Sequence, residues 1–300
     1  MEKKSPSVSP EFSVREFFAR FPDERACLEH IMAVRFGGTE IDCPSCGVEG
    51  QFHKIRERRV YACPNCLFQI APTADTVLQD TRTPLVSWFY AMYLFCTTRH
   101  GVSGKELQRQ LGVTYKTAYR IGMQIRKLTE NTENFDALLS GHVEIDEAYV
   151  GGRAVGVGTG NFRAHKTTVM AIMERNGGMV AKVVPNARTV SLRPIVLDHV
   201  AKGTTVSTDE LRSYGLLTKD GYRHGRVNHG AGEYARYVCK SLTFHTNTVE
   251  GFWRLFKASV RSTHVHVSPK HMQRYLNEFA FRVNHRERVN GMFDLLVGAL

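Results

Sequence analysis

Three acidic residues and four cysteines carry the chemistry open to this sequence. Asp146 sits inside the β-type run Val-Glu-Ile-Asp-Glu-Ala-Tyr-Val over 143–150. Asp209 ends a second such run, Thr-Thr-Val-Ser-Thr-Asp over 204–209, and Glu250 lies in the helical stretch 245–261. Carboxylates brought together repel one another and are costly unless cations neutralise them. Hard oxygen donors with open positions suit Mg²⁺ or Mn²⁺, and two such ions support phosphodiester displacement by a water or a 3′-hydroxyl. Each acid also has a plain structural reading. Glu144 and Asp146 share one face of their strand, so either can be the ligand, and alternation turns Glu147 away. Asp209 and Glu210, at a strand end, also fit an ordinary turn. The order strand acid, strand acid, helix acid singles out Asp146, Asp209 and Glu250 as one set of ligands for two Mg²⁺ or Mn²⁺ ions.

The cysteines form two pairs, Cys43-Pro-Ser-Cys46 and Cys63-Pro-Asn-Cys66, sixteen residues apart. That spacing predicts one zinc ion on two short knuckles. A redox dithiol needs one pair and a thioredoxin-like unit, for which there is no pattern. Four thiolates leave no position for water, so the zinc is structural. Cys27, Cys96 and Cys239 lack such spacing and read as buried apolar fillers.

The elements that must position these groups follow from periodicity. Over 245–261, Val249, Phe252, Trp253, Phe256 and Val260 recur at steps of three and four, which predicts an amphipathic helix capped by Thr246, Asn247 or Thr248. Asn247, Glu250, Arg254 and Lys257 follow one polar side, either a solvated face or one wall of a site for a metal and a phosphate. Residues 52–62 read as a β-ribbon with Lys54, Arg56, Arg58 and Arg59. A helix over 84–97 is apolar nearly all round. Residues 103–128 have the shape of a helix-turn-helix, with its turn at Gly112-Val113-Thr114. Its second helix buries Ala118, Ile121, Ile125 and Leu128 and exposes Lys116, Arg120, Gln124 and Lys127, although an ordinary helical hairpin has the same pattern. Beyond an acidic linker, three strands, with a glycine-rich loop over 155–160, precede a helix over 190–201. A fourth strand ends at Asp209. A short helix over 213–217, a brief strand over 226–229, a loop over 232–242 and a last helix over 269–286 complete the order.

Forty Lys and Arg against 29 Asp and Glu leave a formal charge of +11 over 300 residues. A chain this basic expects a polyanion, nucleic acid first. No apolar run approaches the roughly 18–20 residues that span a bilayer. The polar residues 1–10 lack a signal-peptide core, so a cytoplasmic protein without membrane contact is expected.

With Val-Glu-Ile-Asp146-Glu-Ala-Tyr-Val-Gly-Gly, Val-Ser-Thr-Asp209-Glu and His245-Thr-Asn247-Thr-Val-Glu250-Gly-Phe-Trp-Arg-Leu-Phe-Lys257 following the paired Cys-Pro-x-Cys motifs, the chain resembles bacterial insertion-sequence DDE transposases. The resemblance spans about residues 43 to 290. In this group an N-terminal zinc ribbon and helix-turn-helix precede a ribonuclease-H-like domain. It implies a multidomain α+β chain: an N-terminal tail and helices over 1–40, the ribbon over 41–72, a helical DNA-binding domain over 73–130, a linker over 131–141, a catalytic domain with a mixed five-stranded sheet over 142–290, and a tail over 291–300. It further implies Asp146, Asp209 and Glu250 as the catalytic triad, with Arg254 or Lys257 on DNA. Members of the group can carry Asn as the third acid, so Asn247 stands beside Glu250, in support of it. The implied reaction is hydrolysis at an element end followed by strand transfer to target DNA. Double-stranded DNA is the partner, and joining two ends expects a homodimer or larger assembly. A structure-specific nuclease of the same fold and a catalytically silent DNA-binding regulator are the alternatives.

Overall fold

The computed structural model describes residues 12–132, 138–151, 166–239, 242–286 and 289–300. The polar residues 1–10, part of the linker expected over 131–141 and the glycine-rich loop over 155–160 lie outside the described residues. The chain divides into two compact units, Met1–Thr132 with His285–Leu300, and Glu133–Asn284.

In the first unit, α1 (Val14–Arg20) starts at a capping box in which Ser13 and Glu16 exchange hydrogen bonds. Helix α2 (Glu24–Phe36) is capped by Asp23 and stops at Gly37, whose φ of 78° is left-handed. Strands β1 (Glu40–Asp42) and β2 (Glu49–Gln51) pair, and β3 (His53–Lys54), β4 (Tyr61–Ala62) and β5 (Gln69–Ile70) form a second small sheet. Helix α3 (Leu85–Thr97) buries Trp88, Phe89, Met92, Tyr93 and Phe95, as its all-round apolar pattern predicts. It has no side-chain cap of its own. Glu24 supplies one, accepting from Leu85 N at 2.7 Å, and pairs with Arg59. Arg59 also donates to the carbonyls of Thr81 and Thr83, so this ribbon cation ties the unit together.

Helices α4 (Gly104–Leu111) and α5 (Tyr115–Asn131) follow, capped by Ser103 and Thr114, with Gly112 at φ 63° between them. Residues 291–300, expected as a tail, instead lie largely within a helix over Val289–Gly298. Met292, Phe293, Leu296 and Val297 are buried, and Phe293 packs against Phe12, Phe17, Phe21 and Phe89. Four apolar residues at helical spacing drive this burial.

The second unit is built on one mixed sheet. Strands β6 (His142–Val150), β7 (Thr167–Glu174) and β8 (Met179–Val184) are antiparallel neighbours, and Asn176, at φ 61°, makes the turn between β7 and β8. Helix α6 (Thr189–His199) carries the chain to β9 (Thr205–Thr208), which lies parallel to β6. Strand β10 (Arg223–Arg226) adds parallel to β9. The sheet order β10-β9-β6-β7-β8 is that of a ribonuclease-H-like α+β domain. The fifth strand thus starts three residues before the expected 226–229. Its Gly225 leaves room for the Phe244 ring, which a Cβ there would meet at 2.2 Å. The expected short helix over 213–217 is a single 3-10 turn over Arg212–Tyr214.

Residues 232–242, expected as a loop, contain β11 (Arg236–Cys239), which pairs with β12 (Leu242–Phe244). All four β11 residues are exposed, so no alternation of burial marks the strand. Cys239 is accordingly exposed, against the expectation of a buried filler, whereas Cys27 and Cys96 are buried.

The core on one sheet face joins Val143, Ile145, Met170 and Ile172 to Leu192 and Val196 of α6. Helix α7 (Asn247–Ser262) buries Val249, Phe252, Trp253, Phe256 and Val260 as the three-four spacing predicts, and makes contacts with β6 and β7. Helix α8 (Met272–Asn284) seals the β8 edge with two amides. Asn284 bonds both Met179 N and Met179 O, and Gln273 bonds Val183 N and Ala181 O. Among the described residues no helix is long and apolar enough to cross a membrane.

Candidate metal and DNA site

The parallel pairing of β6 with β9 runs as far as Glu144 opposite Ser207. Two residues on, Asp146 has passed the last paired rung and Asp209 follows the end of β9, so the two carboxylates meet beyond the pairing. Glu147 joins them. Asp146, Glu147 and Asp209 each offer an oxygen, all within 4.8 Å of one another. Alternation predicts that Glu147 points away, and inside a sheet it would. Where β9 has ended, a side chain from either face of β6 can reach the gap. The Tyr214 hydroxyl donates to Glu147 Oε2 at 2.9 Å and holds it there.

Burial is the main cause that raises the Asp146 carboxyl to about 8, with the charges of Glu147, Asp209 and Glu250 adding to it. Burial also pushes Asp209 up, although the Leu211 N–H bonded to its carboxylate opposes the shift. Three hard oxygen donors this close together, with Asp146 and Asp209 both pushed above the ordinary carboxylate range, fit a divalent ion.

Glu250, on the first turn of α7, is not one of the three residues whose oxygens cluster, but its charge adds to the upward push on Asp146 and Asp209. Its Oε1 accepts from the Thr246 hydroxyl at 2.8 Å and lies 3.4 Å from His229 Nδ1. His229 also touches the other side of the site, its backbone N–H donating to Glu210 Oε2 at 3.1 Å. Asn247 is exposed at the start of α7, as is Arg254 further along, and Lys257 is half-buried. Lys166, just before β7, extends the basic side: burial first, then Arg261 and Lys257, hold its ammonium below the ordinary range. Lys166, His229 and Arg261 escape the sequence reading, which gave Thr246 only a capping role and turned Glu147 away on alternation, although the Glu-Ile-Asp-Glu run carried the signal for that acid.

Glu144, the alternative ligand, is spent elsewhere. It is fully buried against Arg175 at 2.7 Å and the first amides of α7.

In the first unit the four cysteine sulfurs lie within 4.8 Å of one another. Cys43 and Cys66 are 3.6 Å apart, Cys46 and Cys63 3.9 Å. A tetrahedral zinc with Zn–S of about 2.3 Å has sulfurs about 3.8 Å apart, so the set fits the ion. The two knuckles share one backbone pattern. Gly47 N bonds Cys43 O as Leu67 N bonds Cys63 O, and Cys43 N bonds Val48 O as Cys63 N bonds Phe68 O. Both turn residues have φ near +65°, at glycine in one knuckle and at Leu67 in the other. The Asn65 side-chain amide, bonded to the sulfur, draws the Cys46 thiol down to about 6, whereas at Cys66 the lowering by the Phe68 N–H is outweighed by burial and the three neighbouring thiols, which push the thiol up to about 11.

On α5, Ala118, Ile121, Ile125 and Leu128 are buried, Lys116, Arg120 and Lys127 are exposed and Gln124 is half-buried. Arg120 lies over the Trp88 ring at 5.6 Å.

Comparison with known proteins agrees with both halves. Residues 138–284 match the ISXO2-like transposase domain family, and residues 22–69 match the transposase zinc-ribbon domain family. An uncharacterized transposase-like protein of Haemophilus influenzae is 30% identical over 123 residues, 93% of its length and 39% of this chain. With the ribbon at one end and the ribonuclease-H-like sheet at the other, the chain belongs to the insertion-sequence DDE transposases that carry an N-terminal zinc ribbon.

Proposed function

We propose that the chain binds the terminal inverted repeats of an insertion sequence and catalyses divalent-metal-dependent cleavage and strand transfer at Asp146, Asp209 and Glu250. The observation that carries this reading is the convergence of the Asp146 and Asp209 oxygens beyond the β6–β9 pairing, with Glu250 beside them on α7. Asp146, Asp209 and Glu250 would hold two Mg²⁺ or Mn²⁺ ions, with Asn247 in support and Glu147, braced by Tyr214, within the same group of oxygens as Asp146 and Asp209. When bound, such ions favour the ionised nucleophile and stabilise the leaving oxygen. In the first step a water attacks the phosphorus at the element end, the P–O3′ bond breaks and a 3′-hydroxyl is released. In the second, that hydroxyl attacks a target phosphorus, the target P–O3′ bond breaks, and the attacking hydroxyl gives its proton to solvent while the leaving 3′-oxygen takes one up. Arg254 and Lys257 neutralise the DNA backbone near the reacting phosphate.

The ribbon over 41–72 and the helical domain over 73–130 bind double-stranded DNA. Lys116, Arg120, Gln124 and Lys127 reach the duplex from α5, and the catalytic domain over 142–290 acts on the ends that they hold. Joining two ends requires two copies of the chain or more.

The test is an assay on a labelled duplex carrying the element end, with Mg²⁺ or Mn²⁺, for wild type, Asp146→Asn, Asp209→Asn and Glu250→Gln. Wild type is expected to give joined products. Each variant is expected to lose at least 10²-fold in rate while still binding the duplex. Cleavage without joining identifies a nuclease, and binding without any metal-dependent chemistry identifies a regulator.

A further inference from the structure

One buried carboxylate on β6 has no part in the reaction as described. Glu144 is fully buried, and its two oxygens take four hydrogen bonds. Arg175 Nε (2.7 Å) and Thr248 Oγ1 (3.0 Å) donate to Oε1, and the backbone N–H groups of Thr248 (2.8 Å) and Val249 (3.2 Å) donate to Oε2. His245 Nδ1 lies 3.0 Å from Oε1. Arg175 in turn reaches His142 Nδ1 at 3.1 Å, Thr243 O at 2.8 Å and His245 O at 3.2 Å. The clamp gathers β6, β7, the β12 segment and the first turn of α7.

A charge buried this deeply is costly, and an apolar side chain would fill the same space. What an apolar contact lacks is direction. Bonds to two consecutive amides fix both the depth and the rotation of a helix end. Glu250 is the next residue after that pair. At the other end, Asp146 lies two residues from Glu144 on the same face of β6. A single rigid side chain therefore links the strand that carries one acid to the helix that carries the other.

We propose, on the reading of those acids as metal ligands, that Glu144 is a positioning residue whose carboxylate sets Glu250 against Asp146. The full-length zinc-loaded protein is titrated with Mn²⁺ alone, and free ion is followed by its paramagnetic resonance signal. Wild type, Glu144→Gln, Glu250→Gln and the double variant are compared, with melting and duplex binding measured on each. Glu144→Gln is expected to weaken Mn²⁺ binding about tenfold or more, the loss typical of an outer partner of a metal ligand, with duplex affinity unchanged. In the Glu250→Gln background it is expected to cost nothing further.

Equal Mn²⁺ affinity in wild type and Glu144→Gln overturns the positioning role alone. A full, independent loss in the double variant also overturns it, because general loosening of the fold does not act through Glu250. Wild type that binds no Mn²⁺ overturns the metal reading itself. Should Glu144→Gln not fold, Thr248→Ala removes one donor from the same carboxylate and leaves the helix intact. It is expected to give a smaller loss, again absent beside Glu250→Gln, and unchanged affinity in it overturns the proposal.

Discussion

At Asp146 the protein trades stability for a site. Its carboxyl is raised to about 8 by burial and by three neighbouring acids. Between about pH 4 and pH 8 the folded protein keeps a proton there that the unfolded chain has lost, so stability contributed by this group falls as pH rises through that window. Above pH 8 the full penalty stands. Metal-free wild type is therefore expected to melt at a lower temperature at pH 8 than at pH 5, and Asp146→Asn to flatten that difference. The check is a pair of thermal melts in chelator at the two pH values, and parallel slopes for the two proteins would refute it. Added Mn²⁺ is expected to raise the wild-type melting temperature most at the alkaline end.

At the scale of single elements, the zinc knuckles have little else to hold them. Strands β3, β4 and β5 are two residues each, and β1 and β2 three. Elements this short bury too little apolar surface to fold alone, so the ion supplies the missing free energy. A strong zinc chelator is expected to unfold the ribbon and to weaken DNA binding by tenfold or more. The melting of a separately expressed 133–284 segment, which contains none of the four cysteines, should not change. Chelation that leaves the far-ultraviolet spectrum and DNA affinity of the full chain intact would count against a structural zinc. Helix α7 makes the complementary point. Its apolar stripe decides which side is buried, whereas its register against β6 depends on Glu144 within that strand and on Arg175, just past the end of β7.

Across the whole molecule, the chain does not fold in the order in which its sequence is read. Its last helix, over Val289–Gly298, belongs to the first unit, where Phe293 is fully buried among Phe12, Phe17, Phe21 and Phe89. Truncation of a phenylalanine in such a setting costs about 3–5 kcal/mol. Phe293→Ala is expected to lower the stability of the first unit by that amount, and deletion of 286–300 to prevent residues 1–132 from forming a cooperative fold. Urea unfolding followed by Trp88 fluorescence, with Trp253 replaced by Phe, checks both. An unchanged midpoint for Phe293→Ala would show that the helix is not part of that core.

What the sequence alone determined is whatever rests on local spacing. The four cysteines announce their ion because two Cys-Pro-x-Cys turns need no distant partner to present their sulfurs. The faces of α5 and α7 were legible because helical periodicity sorts apolar from polar residues within a few turns. The order strand acid, strand acid, helix acid pointed to Asp146 and Asp209 as one group, and the parallel pairing of β6 with β9 brings the two together. Tertiary structure decided the remainder. Glu147 enters the acid group because β9 stops short, which no pattern within β6 records. Glu144 leaves the set of possible ligands because Arg175 and the amides of α7, from 31 to 105 residues away in sequence, claim its oxygens. His229 and Thr246 reach Glu250 through loops without periodicity, and the helix at the end of the chain joins the first unit through contacts with residues more than 180 positions earlier. Side-chain identity and spacing set what each segment can form, but which carboxylates share a site depends on where strands end and which cations reach them.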